Sequence, residues 1–387
     1  VIEEGPAGKF FAAALQEARG AKGFSRPNPA VGAVIVFDGE IIARGRTREP
    51  GNAHAEVDAI SRVADPSVLT RCDLYVTLEP CAHHGRTPPC TEAIRKAGLR
   101  RVHVALLDLN PAVSGKSRRS LSENGIETLY DCPAALRREA FVLNRDFYFR
   151  QHFGRPRVTL KWAMTLDGKI AARTGDSRWV SGDVSRERVQ ALRLQHDAVL
   201  VGGRTALHDD PELTVRTEPI PASQALRIVL DRRGLTPPGH RLFTDPHPTL
   251  FVVDGQTPKS FIERARKSAK ETWELGDPND LKFMLERLSR EREINSILVE
   301  GGSAIHSAFL SADLADEVQV FVAPRILADG MGLSPIASGI AKHKMAEALS
   351  IEGGRWETLG KDILFSGPVH RQWDDELFRR ADPPGPE

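Results

Sequence analysis

His54-Ala55-Glu56, followed by Glu79-Pro80-Cys81-Ala82-His83-His84-Gly85-Arg86-Thr87-Pro88-Pro89-Cys90, is the stretch that decides how this 387-residue chain is read. One neutral imidazole and two thiolates fill three of the four tetrahedral positions of a zinc ion and leave the fourth to water, as a catalytic site requires. Water held there has its pKa lowered to about 7, so a nucleophile exists near neutral pH. Glu56 stands two residues after the histidine, at the start of a helical pattern, and is suited to carry a proton from that water to a leaving amine. His54, Cys81 and Cys90 are therefore the expected metal ligands, and Glu56 the expected catalytic proton carrier. The competing reading is a zinc site used only for folding. That site wants a fourth protein ligand, which His83 or His84 offers, but it leaves Glu56 without a role.

Nucleobase deaminases with this chemistry carry H-x-E followed by P-C-x-x-C. The first half is intact here, whereas eight residues rather than two separate Cys81 from Cys90. The pair still brackets a strand end and the next helix start, so Ala82 to Pro89 reads as an inserted loop. Around it, short apolar runs alternate with helical patterns: FFAAALQEARGA as a helix, AVGAVIVF and EIIARGR as strands about an Asp38-Gly39 turn, then HAEVDAISRVA, DLYVTL, TEAIRKAG and RVHVALL. This is the signature of an α/β layer architecture around a mainly parallel sheet. A helix from Pro133 to Arg150 leads out, helical pattern stops at Gly154-Arg155-Pro156, and a strand, RVTLKWAM, begins. Residues 1–150 are read as one domain and 151–387 as a second. DAVLVGG, LRIVLD, PTLFVVD and INSILVE are strands of the second, with helices near 183–195, 258–268 and 279–291. From about residue 371 the polar sequence reads as a frayed tail.

The length exceeds what one core usually holds, in keeping with two domains. Hydrophobic residues at 41% and charged ones at 27% describe an ordinary globular protein. With 53 Lys+Arg against 52 Asp+Glu, no global field favours nucleic acid or an anionic membrane, and an anionic substrate must be held locally. No apolar run approaches the roughly 18 residues of a membrane span. The opening VIEEGPAGKF lacks a signal peptide's basic start and apolar core, so the expected location is cytoplasmic. Four unevenly placed cysteines make no disulfide framework, and Cys72 and Cys132 are expected to be inert.

With TLEPCAHHGRTPPC in place, the chain resembles the bifunctional riboflavin-biosynthesis family, a pyrimidine deaminase fused to a pyrimidine reductase, over about residues 8 to 370. Pro27-Asn28-Pro29-Ala30-Val31-Gly32 is similar to the family's N-P-x-V-G turn. Lys161-Trp162-Ala163-Met164-Thr165-Leu166-Asp167-Gly168-Lys169, Gly175-Asp176-Ser177-Arg178-Trp179 and the run from Gly202 to Arg216 match its reductase half. Two places depart: Leu109 in Asp108-Leu109-Asn110-Pro111, and Arg26 where a histidine often stands. The resemblance implies a cytidine-deaminase-like three-layer α/β/α domain and a dihydrofolate-reductase-like α/β domain. It implies one zinc per chain in the first, NADPH in the second, a phosphoribosyl pyrimidine substrate and a homo-oligomer formed through the reductase domain.

By position the family implies that Asn28 holds the pyrimidine in the first domain. In the second, Ala163, Trp179, Thr205, Asp209, Gly302, Ser303, Ala304, Ile305, His306, Ser307 and Ala308 are implied to contact NADPH. Ser177, Arg193, Leu213, Arg216 and Glu300 are implied to face the substrate. Chemistry supports parts of this list. The strand, glycine turn and helix start at 298–308 make a seat for a pyrophosphate, although Gly-Gly before a helix also serves simply as a turn. Arg193 and Arg216 offer the charge-assisted donors a sugar phosphate needs. Arg232 or Arg233, after LRIVLD, is a candidate for the 2′-phosphate of NADPH, with a solvated pair as the alternative. Lys161 is the expected catalytic residue of the reduction, as a proton donor near a sugar that opens to an imine; Asp167 is expected to hold a tight turn. Two rival readings are a cytidine-type or tRNA adenosine deaminase with an unrelated second domain, and a zinc-stabilised protein without turnover.

Overall fold

The computed structural model describes residues 7–82, 84, 88–110, 115–277, 280–337, 344–369 and 372–383. The remainder includes His83 and Gly85 to Thr87 of the inserted loop, and Pro111, so expectations placed on those lie outside the described residues. The chain forms two compact units, residues 1–153 together with 372–387, and residues 154–371.

In the first unit, β1 (Gly32–Phe37), β2 (Glu40–Arg46), β3 (Asp73–Val76), β4 (Arg101–Val104) and β5 (Glu127–Leu129) form one sheet in the order β2-β1-β3-β4-β5. β1 runs antiparallel to both neighbours, while β3, β4 and β5 are parallel. The sheet is thus mixed rather than mainly parallel, because the tight Asp38-Gly39 turn makes β1 and β2 a hairpin. The helices are α1 (Gly8–Ala21), α2 (Ala55–Ser61), α3 (Cys90–Ala97), α4 (Lys116–Ser122) and α5 (Ala134–Phe153).

Two glycines explain why the sheet is covered on both faces. A Cβ on Gly32 would lie 1.9 Å from the Ala14 carbonyl oxygen of α1, and one on Gly45 would lie 2.2 Å from the Ala59 nitrogen of α2. Gly45 pairs with Ala33, the neighbour of Gly32, so the two glycines point to opposite faces and α1 and α2 lie on opposite sides. Gly45→Ala is expected to destabilise the unit by about 1–3 kcal/mol or more, because the obstruction is backbone that cannot rotate away. A melting temperature equal to that of the unaltered protein would contradict this packing.

The stretch after residue 371 is not a frayed tail. Residues Gln372–Ala381 form a helix, α12, that joins the first unit. Trp373, Leu377, Phe378 and Ala381 recur at helical spacing inside an otherwise charged segment, and Leu377 and Ala381 are fully buried in that unit's core. The flanking Asp374, Asp375, Glu376, Arg379 and Arg380 hide the pattern in a composition-based reading.

The second unit is built on a nine-stranded sheet. Its strands are β6 (Arg157–Thr165), β7 (Ala198–Gly202), β8 (Leu226–Leu230), β9 (Thr249–Val253), β10 (Glu271–Glu274), β11 (Ser296–Val299), β12 (Glu317–Ala323), β13 (Arg355–Leu359) and β14 (Asp362–Pro368). The order is β10-β9-β8-β7-β11-β6-β12-β14-β13, parallel from β10 to β12, with β14 antiparallel to both its neighbours. Residues of β7 alternate between two buried clusters, Ala198 and Leu200 in one, Val199 and Val201 in the other. Both faces are therefore covered, which accounts for the continuous apolar runs of its parallel strands. Helices α6 (Asp183–Gln195), α7 (Gly203–Asp209), α8 (Arg241–Thr244), α9 (Lys259–Lys267), α10 (Leu281–Arg292) and α11 (Ser303–Ser311) lie between them.

Candidate active sites

The first site gathers where β2, β3 and α3 deliver their neighbouring loops. His54 precedes α2, Glu56 lies in its first turn, Cys81 follows β3 and Cys90 opens α3. The His54 Nδ1 atom is 3.7 Å from Cys81 Sγ and 3.3 Å from Cys90 Sγ. Zinc bonds of about 2.0–2.3 Å at tetrahedral angles require ligand separations of about 3.5–3.8 Å; the nitrogen–sulfur distances lie close to that range and all three ligand atoms are within 4.8 Å of one another, so small adjustments bring them onto the ion. Among the described residues they are the only such metal-ligand set, and exposed His84 is not part of it. A three-ligand set leaves a position for water.

The Cys81 thiol is held down at about 4, first by the hydrogen bond from Cys90 and against its burial. Its sulfur also accepts the Cys90 backbone N–H at 3.2 Å. The Cys90 thiol is pushed up by Cys81 and by burial, so the pair holds one thiolate ready and would release the second proton when a metal binds. Glu56 is 4% exposed, and burial, then the nearby Cys81, raises its pKa. A carboxyl so raised takes up and releases a proton closer to neutral pH than a solvated one. Cys72 and Cys132 are buried with raised pKa, burial being the main cause in both, as expected of inert thiols.

Two supports of this site escaped the sequence reading. Buried Glu79 accepts hydrogen bonds from Ser117 Oγ at 2.5 Å and from the backbone N–H groups of Asp108 and Gly115, both at 3.3 Å. It thereby ties the Pro80-Cys81 loop to the segment after β4. Asn144, at a kink in α5, accepts from Ala30 N at 2.8 Å and donates to Ala30 O at 2.9 Å, fixing the backbone just beyond Asn28. The position of Glu79 beside Pro80-Cys81 was a usable signal; nothing near Asn144 in the sequence was.

The second site lies at the carboxyl ends of β6, β7 and β11, the usual ligand side of an open parallel sheet. Glu300 directly follows β11 and Lys161 lies on the neighbouring β6. Lys161 Nζ is 3.8 Å from Glu300, while Arg193 of α6 grips the same carboxylate at 2.7 and 3.1 Å. Burial alone pushes the Glu300 carboxyl up, but Arg193 and then Lys161 win and hold it at about 2. Burial pushes Lys161 down, opposed by Glu300. Arg193 is thus no solvated arginine, yet its fork is committed to Glu300 and to the Thr214 carbonyl. Arg216 is the more open guanidinium, half exposed and paired with Glu212 at 2.6 Å.

Nearby, a Cβ on Gly202 would lie 2.9 Å from Ile305 and one on Gly302 3.8 Å from Thr205 Oγ1, so the turns opening α7 and α11 touch. Leu213 is buried with a φ of 56°, and Arg178 donates to the Asp209 carbonyl at 2.8 Å beside half-buried Ser177 and exposed Trp179. Ala163 packs against the apolar cluster of Leu298 and Phe321. Ser303, His306 and Ser307 spend their side chains on the 334–337 segment, through Ser334 O, Pro335 O and Ala337 N. The backbone of that turn, with Ala304 and Ala308 on it, and the unpartnered Nε2 of His306 remain for a ligand. Arg232 is 3.6 Å from Asp254, and Arg233 is exposed. Asp167 accepts from Thr165 Oγ1, Leu327 N and Ala328 N, the turn-holding role expected of it.

Comparison with known proteins finds both halves. Residues 6–106 match the cytidine and deoxycytidylate deaminase zinc-binding region, and residues 156–365 match the RibD C-terminal domain. The riboflavin biosynthesis protein RibD of Aquifex aeolicus is 39% identical over 356 residues, 92% of this chain and 96% of the relative. The solved structure of Acinetobacter baumannii RibD superposes with a TM-score of 0.83 at 33% identity, covering 94% of this chain and 98% of that one. A diaminohydroxyphosphoribosylaminopyrimidine deaminase/5-amino-6-(5-phosphoribosylamino)uracil reductase from Thermotoga maritima gives 0.79 at 34% identity, covering 93% and 97%. No helix among the described residues is long and apolar enough to cross a membrane. With a metal-binding triad in one unit, a buried ionic cluster in the other and relatives matching nearly end to end, the chain belongs to the RibD family of bifunctional riboflavin-biosynthesis deaminase–reductases.

Proposed function

We propose that the first unit removes the 2-amino group of 2,5-diamino-6-(ribosylamino)-4(3H)-pyrimidinone 5′-phosphate, and that the second reduces the ribosyl group of 5-amino-6-(5-phosphoribosylamino)uracil to ribityl with NADPH. The observation that carries the first assignment is the His54, Cys81 and Cys90 triad with buried Glu56 beside it. Bound there, zinc supplies an acidified water as nucleophile. Glu56 takes the water's proton and passes it to the departing amine nitrogen, which leaves as ammonia. Asn28, whose backbone is held from Ser25 and through Ala30, orients the pyrimidine.

In the second unit the turn at Gly302 presents backbone N–H groups and the start of α11 to the NADPH pyrophosphate. Thr205 beside that turn, Asp209, Trp179 and Ala163 complete the cofactor seat. NADPH supplies the hydride to C1′. Lys161 donates a proton as the sugar opens, and Glu300 with Arg193 holds the ammonium in place. Ser177, Leu213 and Arg216 flank the substrate, with Arg216 the principal partner of its phosphate. Burial lowers the pKa of Lys161, and a desolvated lysine gives up a proton more readily than a solvated one.

Incubating the protein with the diamino substrate and NADPH is expected to release one ammonia for each NADPH oxidised. Ammonia from cytidine or an adenosine-containing RNA, and none from the diamino substrate, would overturn the assignment. NADPH over NADH selection is expected to weaken on Arg232→Ala or Arg233→Ala. Unchanged ratios of kcat/KM for the two cofactors in both variants would remove these arginines from the 2′-phosphate seat.

A further inference from the structure

We infer that α12 is a positioning element of the zinc site, a strap that sets deamination while leaving reduction untouched. The inference rests on the assignment of deamination to that site. α12 lies beyond the end of both family matches, at 106 and 365, and the chain leaves the first unit at Phe153 only to return to it at Gln372. Its apolar side seats on α5: Trp373 meets Phe149 edge-on with ring centroids 4.8 Å apart, and Phe378 meets Phe141 at 5.5 Å. Two ion pairs fix the register, Arg137 with Asp382 and Arg138 with Asp375, both at 2.7 Å.

The end of the helix makes the contact that matters. Ala381 O accepts the Leu107 N–H at 2.8 Å, and Tyr148 of α5 donates its hydroxyl to Leu107 O at 3.1 Å, so the residue is held from both sides. Its neighbours grip the metal loop. Leu106 O accepts the Glu79 N–H at 2.9 Å, and Asp108 N–H donates to the Glu79 carboxylate. Glu79 stands two residues before Cys81. Without α12 the Leu107 N–H loses its acceptor and the Phe141 and Phe149 rings meet water, so the 106–108 segment and the loop it braces lose their fixed position. A displacement of about 1 Å near reacting groups lowers rates by up to about a hundredfold.

The test compares the whole chain with one ending at residue 371, with zinc content measured in both. Well below the melting temperature, the shortened protein is expected to keep its zinc and reduce the uracil substrate at an unchanged rate. Its kcat/KM for deamination is expected to fall on the order of ten- to a hundredfold. A synthetic peptide of residues 372–383 is expected to restore it. In the full chain, Leu377→Asp is expected to reproduce the loss. Hydrogen exchange at the Leu107 amide reads the strap without reference to activity and is expected to accelerate in the shortened chain. Unchanged exchange there, unchanged deamination with only a lower melting temperature, a parallel fall in reduction, or failure of the peptide to restore deamination each overturns the inference. An intact chain that releases no ammonia would instead sink the assignment of the site, while the exchange measurement still judges the strap.

Discussion

Glu56→Gln is expected to lower ammonia release by about 10²–10⁴-fold, the usual worth of a positioned general acid–base. NADPH oxidation on the deaminated uracil substrate is expected to be unaffected, because Lys161, Arg193 and Glu300 belong to the other unit. The substitution keeps size and removes only the ability to exchange the proton. Since His54, Cys81 and Cys90 are untouched, zinc content is expected to stay at the level of the unaltered protein. Loss of zinc along with activity would show that Glu56 supports the metal instead of moving protons. Survival of ammonia release would remove it from the mechanism.

The largest stability effect is expected at Glu300. Its carboxylate neutralises two buried cations, and Glu300→Gln strands both, a change that costs about 3–5 kcal/mol when one partner of a buried ion pair is removed. Lys161→Ala leaves the bidentate Arg193–Glu300 pair in place, so it is expected to cost less stability while depressing reduction and sparing deamination. The same carboxylate makes the second unit acid-sensitive. Its pKa is near 4.5 unfolded and about 2 folded, so its stabilisation is fully present above about pH 4.5 and disappears as pH falls toward 2. The shift corresponds to about 3 kcal/mol. The melting temperatures of the unaltered protein and of Glu300→Gln are therefore expected to converge as pH falls from about 4.5 toward 2. A constant gap across that range would mean the carboxylate is not held down in the fold.

The clustering of His54, Cys81 and Cys90 beside buried Glu56 was legible in the sequence because metal chemistry restricts which side chains serve, and local spacing places them near helix starts. The strand and glycine turn at 298–303 were legible for a related reason: the chain folds back closely there, and a Cβ on Gly301 would lie 2.8 Å from the Ile305 side chain. What the sequence hid was long-range. Arg193 and Glu300 were each singled out as substrate contacts, yet 107 positions apart nothing marks them as partners, and the fold commits the Arg193 guanidinium to the Glu300 carboxylate and the Thr214 carbonyl. Asn144 and Ala30 are 114 positions apart, and their reciprocal hydrogen bonds depend on a kink in α5 that no proline or glycine announces. α12 was misread because four apolar residues among charges look like a tail until a partner face exists to receive them. His306 and Ser307 sit within the run expected at the cofactor, and each also makes a side-chain hydrogen bond to the 334–337 segment, a long-range partner that the local sequence does not show.

One chain is expected to hold two independent chemistries, one dependent on His54, Cys81 and Cys90 and one not. Removing zinc with a chelator, then assaying ammonia release from the diamino substrate and NADPH oxidation on the uracil substrate in the same preparation, tests it most directly. Ammonia release is expected to disappear and to return when zinc is added back, while reduction continues at its original rate throughout. Ammonia release that persists in the metal-free protein, or reduction that stops when ammonia release does, would contradict this independence.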